Sequence, residues 1–163
     1  MITTLQKKVI NGGTLSREEA VLLSSVQLEP LCEAADQIRR HFCGNAFDMC
    51  SIINGKSGKC PEDCKYCAQS AHYSADTAVY PLLSTDEILR EAKANAADGI
   101  LRFSIVTSGK RLSDREVEKV CDSFRKIRET CGISLCASIG LLSQKQFKML
   151  KSAGVVRYHN NLE

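Results

Sequence analysis

Three cysteines in one short segment are the residues best suited to chemistry in this chain. They are Cys60, Cys64 and Cys67, separated by three and then two residues. Thiolates at this spacing wrap a single metal centre, and on a four-iron cube they leave one iron without a protein ligand. A substrate or cofactor can chelate that open iron. Two alternatives stay open at this point: a structural zinc site in which His72 supplies the fourth ligand, and plain core thiols.

The composition sets the context for these cysteines. The chain has 163 residues, nine cysteines and a formal net charge of +3. No apolar run in the sequence approaches the roughly 20 residues that cross a bilayer, and the first residues lack the apolar region of a signal peptide. We therefore expect a cytoplasmic protein with reduced thiols and no membrane partner.

Hydrophobic residues make up 44% of the chain and charged residues 25%, as in ordinary globular proteins. These proportions exclude disorder, collagen and coiled coil as overall descriptions. The charge is mild and evenly mixed, so it gives no reason to expect nucleic acid as a partner.

Pairs of capping residues predict where the helices begin, because a serine and a glutamate or glutamine three positions later satisfy the first backbone N–H groups. The pairs are Ser16 with Glu19, Ser84 with Glu87, Ser113 with Glu116, and Ser143 with Gln146. A further helix is predicted from Pro30 to Gly44. Apolar runs predict strands over residues 46–53, 100–106, 133–139 and 155–162, and a glycine-rich loop over 54–67 holds the three cysteines.

This alternation predicts an α/β fold with parallel strands and right-handed crossovers. We divide the chain into a helical lead-in over residues 1–44 and a strand–helix repeat over residues 45–163. A closed (β/α)8 barrel takes about 250 residues, so the repeat has the length of its N-terminal half. The chain is then expected to be a piece of a longer protein, weakly stable or self-associating. The alternative is a complete small open sheet.

The cysteine motif resembles that of the radical S-adenosylmethionine superfamily. The wider segment 50–70 looks like the biotin synthase family in particular, and segments 102–106, 135–140 and 158–163 agree with it. The resemblance implies an enzyme that inserts sulfur into dethiobiotin, with its active site in the C-terminal mouth of a full barrel. Cys60, Cys64 and Cys67 would hold a [4Fe–4S] cluster that binds and reductively cleaves S-adenosylmethionine. The 5′-deoxyadenosyl radical so formed would abstract hydrogen from the substrate. A flavodoxin- or ferredoxin-type electron donor and a homodimer are also implied.

The same resemblance implies contacts to S-adenosylmethionine. Tyr66 would contact adenine, Thr107 lies where backbone groups meet the methionyl amino group, and Asn161 and Glu163 match positions that contact ribose and substrate. The alternatives are a loop aromatic covering the core for Tyr66, an ordinary strand end for Thr107, and a strand fraying into solvent for Asn161 and Glu163.

A second, auxiliary iron–sulfur cluster, [2Fe–2S] in typical members and the source of sulfur, is implied at Cys136. Ser104 stands where the family has a cysteine, and His159 replaces a usual asparagine. Serine oxygen is harder than thiolate and uncommon on such clusters, which leaves the type and ligands of this cluster open. The remaining cysteines match no ligand position in the family, and Cys121 lies on an apolar helix stripe; they are Cys32, Cys43, Cys50, Cys121 and Cys131.

Strand alternation predicts that Ser104 and Cys136 face the barrel lumen at the same height. Their neighbours Phe103, Ile105, Leu135 and Ala137 would then point outward to the helices. The same alternation places Asn161 and Glu163 inward on the fourth strand and Leu162 outward.

Two other functions are alternatives to the one that the resemblance implies. One is another radical S-adenosylmethionine enzyme, of the methyltyrosine-radical maturase or methylornithine synthase type. The other is a non-catalytic zinc- or iron-binding module.

Overall fold

The computed structural model describes residues 1–161. The chain divides into two compact units, with the boundary between Phe47 and Asp48. Within residues 1–161, no helix combines the length and the apolar character needed to cross a membrane.

The first unit consists of three helices, α1 (Ile2–Ile10), α2 (Arg17–Leu23) and α3 (Leu28–Cys43). The predicted capping box at Ser16 and Glu19 is confirmed, with both of its hydrogen bonds present. Helix α3 begins two residues before the predicted start at Pro30. Proline is tolerated there because a first-turn residue has no N–H partner within the helix.

The second unit alternates strands and helices. Its elements are β1 (Cys50–Lys56), α4 (Thr85–Ala97), β2 (Arg102–Thr107), α5 (Asp114–Thr130), β3 (Ser134–Ser138), α6 (Gln144–Ala153) and β4 (Val155–Tyr158). The capping boxes predicted before α4, α5 and α6 are all confirmed.

The four strands are parallel and their order in the sheet follows the chain, β1-β2-β3-β4. A doubly wound open sheet reverses its strand order at a switch point, whereas a (β/α)8 barrel advances in one direction. The described sheet therefore has the winding of the first half of a barrel, and the predicted α/β class is confirmed.

One face of the sheet packs against the helices and forms the core. Phe103 pairs in register with Leu135, and Ile105 with Ala137; all four side chains are buried in the cluster that the helices complete. Ser104 pairs with Cys136 and projects from the opposite face, because side chains alternate along a strand. The predicted inward register of Ser104 and Cys136 is confirmed.

Two strand boundaries differ from the prediction. The first strand was expected over residues 46–53 but runs from Cys50 to Lys56 and includes Gly55. A Cβ at Gly55 would lie 3.0 Å from Ile105 Cγ2, so glycine here lets β1 approach β2 closely just where the register shifts. The fourth strand was expected to reach residue 162 but ends at Tyr158. Leu162 and Glu163 lie outside the described residues.

Candidate functional site

Backbone hydrogen bonds join the two ends of the loop that carries the three cysteines. Cys60 N donates to Gln69 O (2.9 Å), and Ala71 N donates to Cys60 O (2.8 Å). Within the turn, Cys67 N donates to Cys64 O (3.0 Å). The loop thus closes at its two ends and presents its cysteines between them.

Side chains after the motif fold back onto it. Tyr73 Oη donates to Asp63 Oδ1 (2.6 Å), which lowers the pKa of the Asp63 carboxyl. His72 Nε2 lies 3.1 Å from Pro61 O, and Ser70 Oγ donates to Glu62 O (2.8 Å). These bonds fix the loop without using the cysteine sulfur atoms.

The loop is also joined to the ends of the strands. The Gln69 carbonyl oxygen Oε1 accepts hydrogen bonds from Gly58 N and from Ser57 Oγ. Ser108 Oγ, just past the end of β2, donates to Gly58 O (2.9 Å). Gly58 has φ +76°, and a Cβ there would lie 2.6 Å from Val79 Cγ2, so the turn requires glycine.

A cavity of about 650 Å³ opens at the carboxyl ends of the four strands. The cysteine loop forms one wall, and the strand ends and the segments following β2, β3 and β4 form the others. Its lining includes Cys60, Cys64, Cys67, Thr107, Gly140 and Asn161. The structure therefore brings five of the predicted site residues to one cavity.

Thr107 Oγ1 is buried and has no hydrogen-bond partner among residues 1–161. Because buried hydroxyl groups in proteins are nearly always hydrogen-bonded, this atom indicates a place for a polar ligand. Asn161 reaches the cavity from the segment after β4, not from the strand on which it was predicted to lie.

Two predicted contact residues stand apart from this group. Tyr66 is 76% exposed and lies outside the cavity lining, which contradicts the alternative that it covers the core. Glu163 lies outside the described residues. His159 continues the pairing beyond β4, with its backbone N donating to Ala137 O (2.9 Å).

The donor set fits an iron–sulfur cluster with one open iron. All nine cysteines carry thiols, and the three of the motif line a common cavity together with Thr107. Among residues 1–161, no group of three His, Cys, Asp or Glu side chains is arranged around a single ion. The zinc alternative also needs His72, whose Nε2 is directed at Pro61 O.

Cys136 and Ser104 form a second group on the same face of the sheet. Cys136 is 1% exposed yet lies outside the main core cluster. Burial raises the pKa of its thiol, while the neighbouring guanidinium groups of Arg102 and Arg157 lower it. Ser104 Oγ is buried without a hydrogen-bond partner in the described part of the chain.

Arg102 is the residue of this second group that the sequence analysis missed as a functional side chain. The hydrogen bond that Arg102 donates to Asp48 raises the pKa of its guanidinium, and the neighbouring Cys136 sulfur raises it further. The available indication was its position two residues before Ser104, which puts both on one face of β2.

Comparisons with known proteins agree with this architecture. Residues 56–163 match the family model described as the radical SAM superfamily. The match covers most of the chain and includes the cysteine motif. The chain belongs to the radical SAM superfamily.

Several curated relatives of this radical SAM chain are named biotin synthase. One from Akkermansia muciniphila is 61% identical over 163 residues, which cover all of this chain and 51% of the relative. One from Clostridium botulinum strain Hall is 49% identical over 162 residues, covering 99% of this chain and 51% of the relative. The radical SAM chain thus spans about half the length of the curated relatives it matches.

Solved structures resemble the radical SAM chain in fold. HydG, a maturase of the [FeFe]-hydrogenase, matches with a TM-score of 0.74 at 19% identity, over 96% of this chain and 36% of HydG. Methylornithine synthase matches with a TM-score of 0.74 at 22% identity, over 94% of this chain and 46% of that protein. Membership of the superfamily implies S-adenosylmethionine and a [4Fe–4S] cluster as cofactors.

Proposed function

We propose that the protein acts as a biotin synthase, a radical SAM sulfurtransferase that converts dethiobiotin to biotin. The observation that carries this proposal is the convergence of Cys60, Cys64 and Cys67 with Thr107 on one cavity at the strand ends. The names of the relatives, at 61% and 49% identity across this chain, supply the substrate.

The cluster and S-adenosylmethionine, when bound, supply a primary carbon radical that abstracts hydrogen from an unactivated C–H bond. The chain's own residues hold and orient them. Cys60, Cys64 and Cys67 provide three thiolates on a loop whose closure is fixed by hydrogen bonds to Gln69 and Ala71. Three thiolates would leave one iron of the cluster free to bind S-adenosylmethionine.

The other proposed contacts follow from the lining of the cavity. Thr107 and Asn161 both line the cavity, and Thr107 Oγ1 has no hydrogen-bond partner among the described residues. Ile52, Val106 and Leu141 contribute apolar side chains to the same space. Tyr66 remains the proposed contact to adenine, and Glu163 the proposed contact to ribose or substrate.

We also propose an auxiliary iron–sulfur cluster at Cys136, which supplies the sulfur. The support is the burial of this thiol outside the main core, between Arg102 and Arg157. Cationic side chains stabilise an anionic cluster and its thiolate ligands. Ser104 stands beside Cys136 in register, and its hard oxygen is a poorer ligand for the iron of such a cluster than a thiolate.

A flavodoxin- or ferredoxin-type protein is proposed as the electron donor, and a basic cleft supports this. The cleft, about 870 Å³, shares Ser108, Gly109 and Lys110 with the wall of the cysteine cavity. Four cations line it, Lys56, Lys59, Lys110 and Arg111, without a carboxylate among the lining residues.

Two of these cations are neutralised by ion pairs. Lys56 pairs with Glu116 (2.7 Å) and Lys110 with Glu62 (3.4 Å). Within residues 1–161, Lys59 and Arg111 make no ion pair. They are therefore available to an acidic protein, which such a surface attracts and orients.

Charge reversal tests this docking surface. Lys59→Glu with Arg111→Glu should slow cluster reduction by flavodoxin, with a weakened dependence on salt, and leave reduction by dithionite unchanged. Lys145→Glu with Lys148→Glu on α6 is the matched control. Equal flavodoxin rates in both double variants would exclude the cleft as the docking surface.

We further propose that the protein forms a homodimer and is located in the cytoplasm. Sedimentation equilibrium of the anaerobically purified protein and cell fractionation test these two points. A monomer across the concentration range would contradict the first.

Turnover tests the proposed function itself. The anaerobically reconstituted protein is incubated with S-adenosylmethionine, dithionite or reduced flavodoxin, and dethiobiotin. We expect 5′-deoxyadenosine and biotin to appear together. Formation of 5′-deoxyadenosine that dethiobiotin neither stimulates nor couples to biotin would assign the chain to another radical SAM reaction. A colourless protein that holds one zinc would favour the binding-module alternative.

A further inference from the structure

The face of the sheet turned away from the helices carries a second thiol near Cys136. Cys50, the first residue of β1, pairs with Arg102 on β2, one two-residue step before the pair of Ser104 with Cys136. Since side chains alternate along a strand, these four residues all project from the same face. Cys50 is exposed there, whereas Ser104 and Cys136 are buried.

The side chains of this group interact. The Arg102 guanidinium interacts electrostatically with Cys136 and forms an ion pair with Asp48. Burial is the main cause that raises the pKa of Cys136, and the Cys50 thiol adds to it, so the two thiols lie within electrostatic reach of one another. Two thiols and a guanidinium therefore converge beside the unpartnered Ser104 hydroxyl.

The strand register places the two thiols too far apart for a disulfide, at a separation that suits two ligands of one iron–sulfur cluster. Neighbouring strands lie about 4.8 Å apart, and two residues advance a strand by about 6.6 Å. Cys50 and Cys136 are two strands and one such step apart, so their Cα atoms are separated by about 12 Å on a flat sheet. A disulfide requires less than about 7 Å between Cα atoms. A cluster of several irons and sulfides spans such a gap on a concave face.

We propose that Cys50 supplies the auxiliary iron–sulfur cluster with the thiolate that serine at position 104 does not provide. The inference rests on the proposed auxiliary cluster at Cys136. Thiolate is the softer ligand and the usual one for iron in such clusters. On binding, the Cys50 thiol loses its proton to solvent and forms one Fe–S bond, while Arg102 balances part of the added negative charge. The buried Ser104 hydroxyl donates a hydrogen bond to the cluster in place of ligating it.

Alkylation measures this ligation without enzyme activity. The apo protein and the anaerobically reconstituted holoprotein are treated briefly with iodoacetamide, and each cysteine is followed by mass spectrometry. Cys50 should be modified in the apo protein and protected in the holoprotein. Cys43, exposed on the last turn of α3, should be modified equally in both. Equal modification of Cys50 in the two forms would overturn the proposal.

Exchange of the thiolate between strands gives a second, independent test. Mössbauer spectra are compared in a background in which the three motif cysteines are alanine, so that the remaining iron belongs to the auxiliary cluster. Cys50→Ala and the near-isosteric Cys50→Ser should lose this iron, while Ser104→Ala and the control Cys43→Ala should retain it. Adding Ser104→Cys to Cys50→Ala should restore the cluster.

The outcomes separate the two proposals. Retention of the full auxiliary iron in both Cys50 variants would overturn the role of Cys50 and leave the cluster at Cys136 standing. Absence of iron from the protein in which only the three motif cysteines are alanine would overturn both the auxiliary cluster and the role of Cys50. The motif cluster is scored separately in the protein that keeps Cys60, Cys64 and Cys67.

Discussion

Substitution of Gly140 by alanine should disrupt the wall of the cavity, although glycine has no side chain that could take part in the chemistry. Gly140 has φ +80°, and a Cβ there would lie 2.3 Å from the carbonyl oxygen of Lys110. That carbonyl accepts the hydrogen bond from Leu141 N (2.7 Å), which ties the segment after β3 to the segment after β2. Tyr158 Oη donates to the Gly140 carbonyl and holds it from the side of β4.

The magnitude follows from these contacts. A left-handed conformation costs an L-residue about 1–2 kcal/mol. The contact with Lys110 is to backbone, so the two segments must separate, and loss of the Leu141 hydrogen bond costs about 0.5–1.5 kcal/mol more. We therefore expect Gly140→Ala to lower the free energy of unfolding by about 2–3 kcal/mol.

Gly132→Ala is the matched control. A Cβ at Gly132 meets nothing within 4 Å, so its effect should lie within about 1 kcal/mol, on the stabilising side, because alanine restricts the unfolded chain. Urea unfolding monitored by circular dichroism measures both, and equilibrium dialysis measures binding of S-adenosylmethionine. Gly140→Ala should bind S-adenosylmethionine more weakly than Gly132→Ala. Equal stability of the two variants would refute this account of the cavity wall.

Three further predictions concern single groups. Burial alone raises the pKa of Glu116, but Lys56 and the backbone and side chain of Ser113 lower it from 4.5 to about 2. The Glu116 carboxylate should contribute about 1 kcal/mol to stability after solvent screening, fully above pH 4.5 and progressively less as the pH falls towards 2. The difference in urea stability between the parent protein and Glu116→Gln should therefore shrink over that range. A difference that stays constant with pH would contradict the ion pair. Thr107→Val removes a buried hydroxyl without a partner in the described chain, so it should stabilise the apo protein by about 1 kcal/mol and weaken S-adenosylmethionine binding by calorimetry about tenfold; unchanged binding would exclude Thr107 as a contact. Ser104→Cys should change the Mössbauer spectrum of the auxiliary cluster and leave S-adenosylmethionine binding intact, whereas an unchanged spectrum would place Ser104 away from that cluster.

Features set by neighbouring residues could be predicted from the sequence. The capping boxes, such as Ser84 with Glu87, depend on hydrogen bonds across one helical turn, and each predicted box forms. The inward register of Ser104 and Cys136 depends on strict alternation along two strands flanked by buried apolar residues. Neither prediction requires knowledge of the rest of the fold.

Features set by distant residues could not be predicted. The sequence predicts a loop from residue 54 onward, and only the close approach of Gly55 to Ile105 explains why β1 continues through it. Cys50 matched no family ligand, and its position near Cys136 depends on the pairing of three strands. The basic cleft likewise joins residues separated by about fifty positions along the chain, such as Lys59 and Arg111.

The proposal that Cys60, Cys64 and Cys67 hold a [4Fe–4S] cluster with an iron open to S-adenosylmethionine is tested most directly by electron paramagnetic resonance. The anaerobically reconstituted and dithionite-reduced protein is measured with and without S-adenosylmethionine, together with Cys64→Ala and the buried-thiol control Cys121→Ala. We predict a reduced-cluster signal that changes when S-adenosylmethionine is added, persists in Cys121→Ala and disappears in Cys64→Ala together with 5′-deoxyadenosine formation. A cluster signal that S-adenosylmethionine leaves unchanged, or cleavage of S-adenosylmethionine by Cys64→Ala, would contradict it.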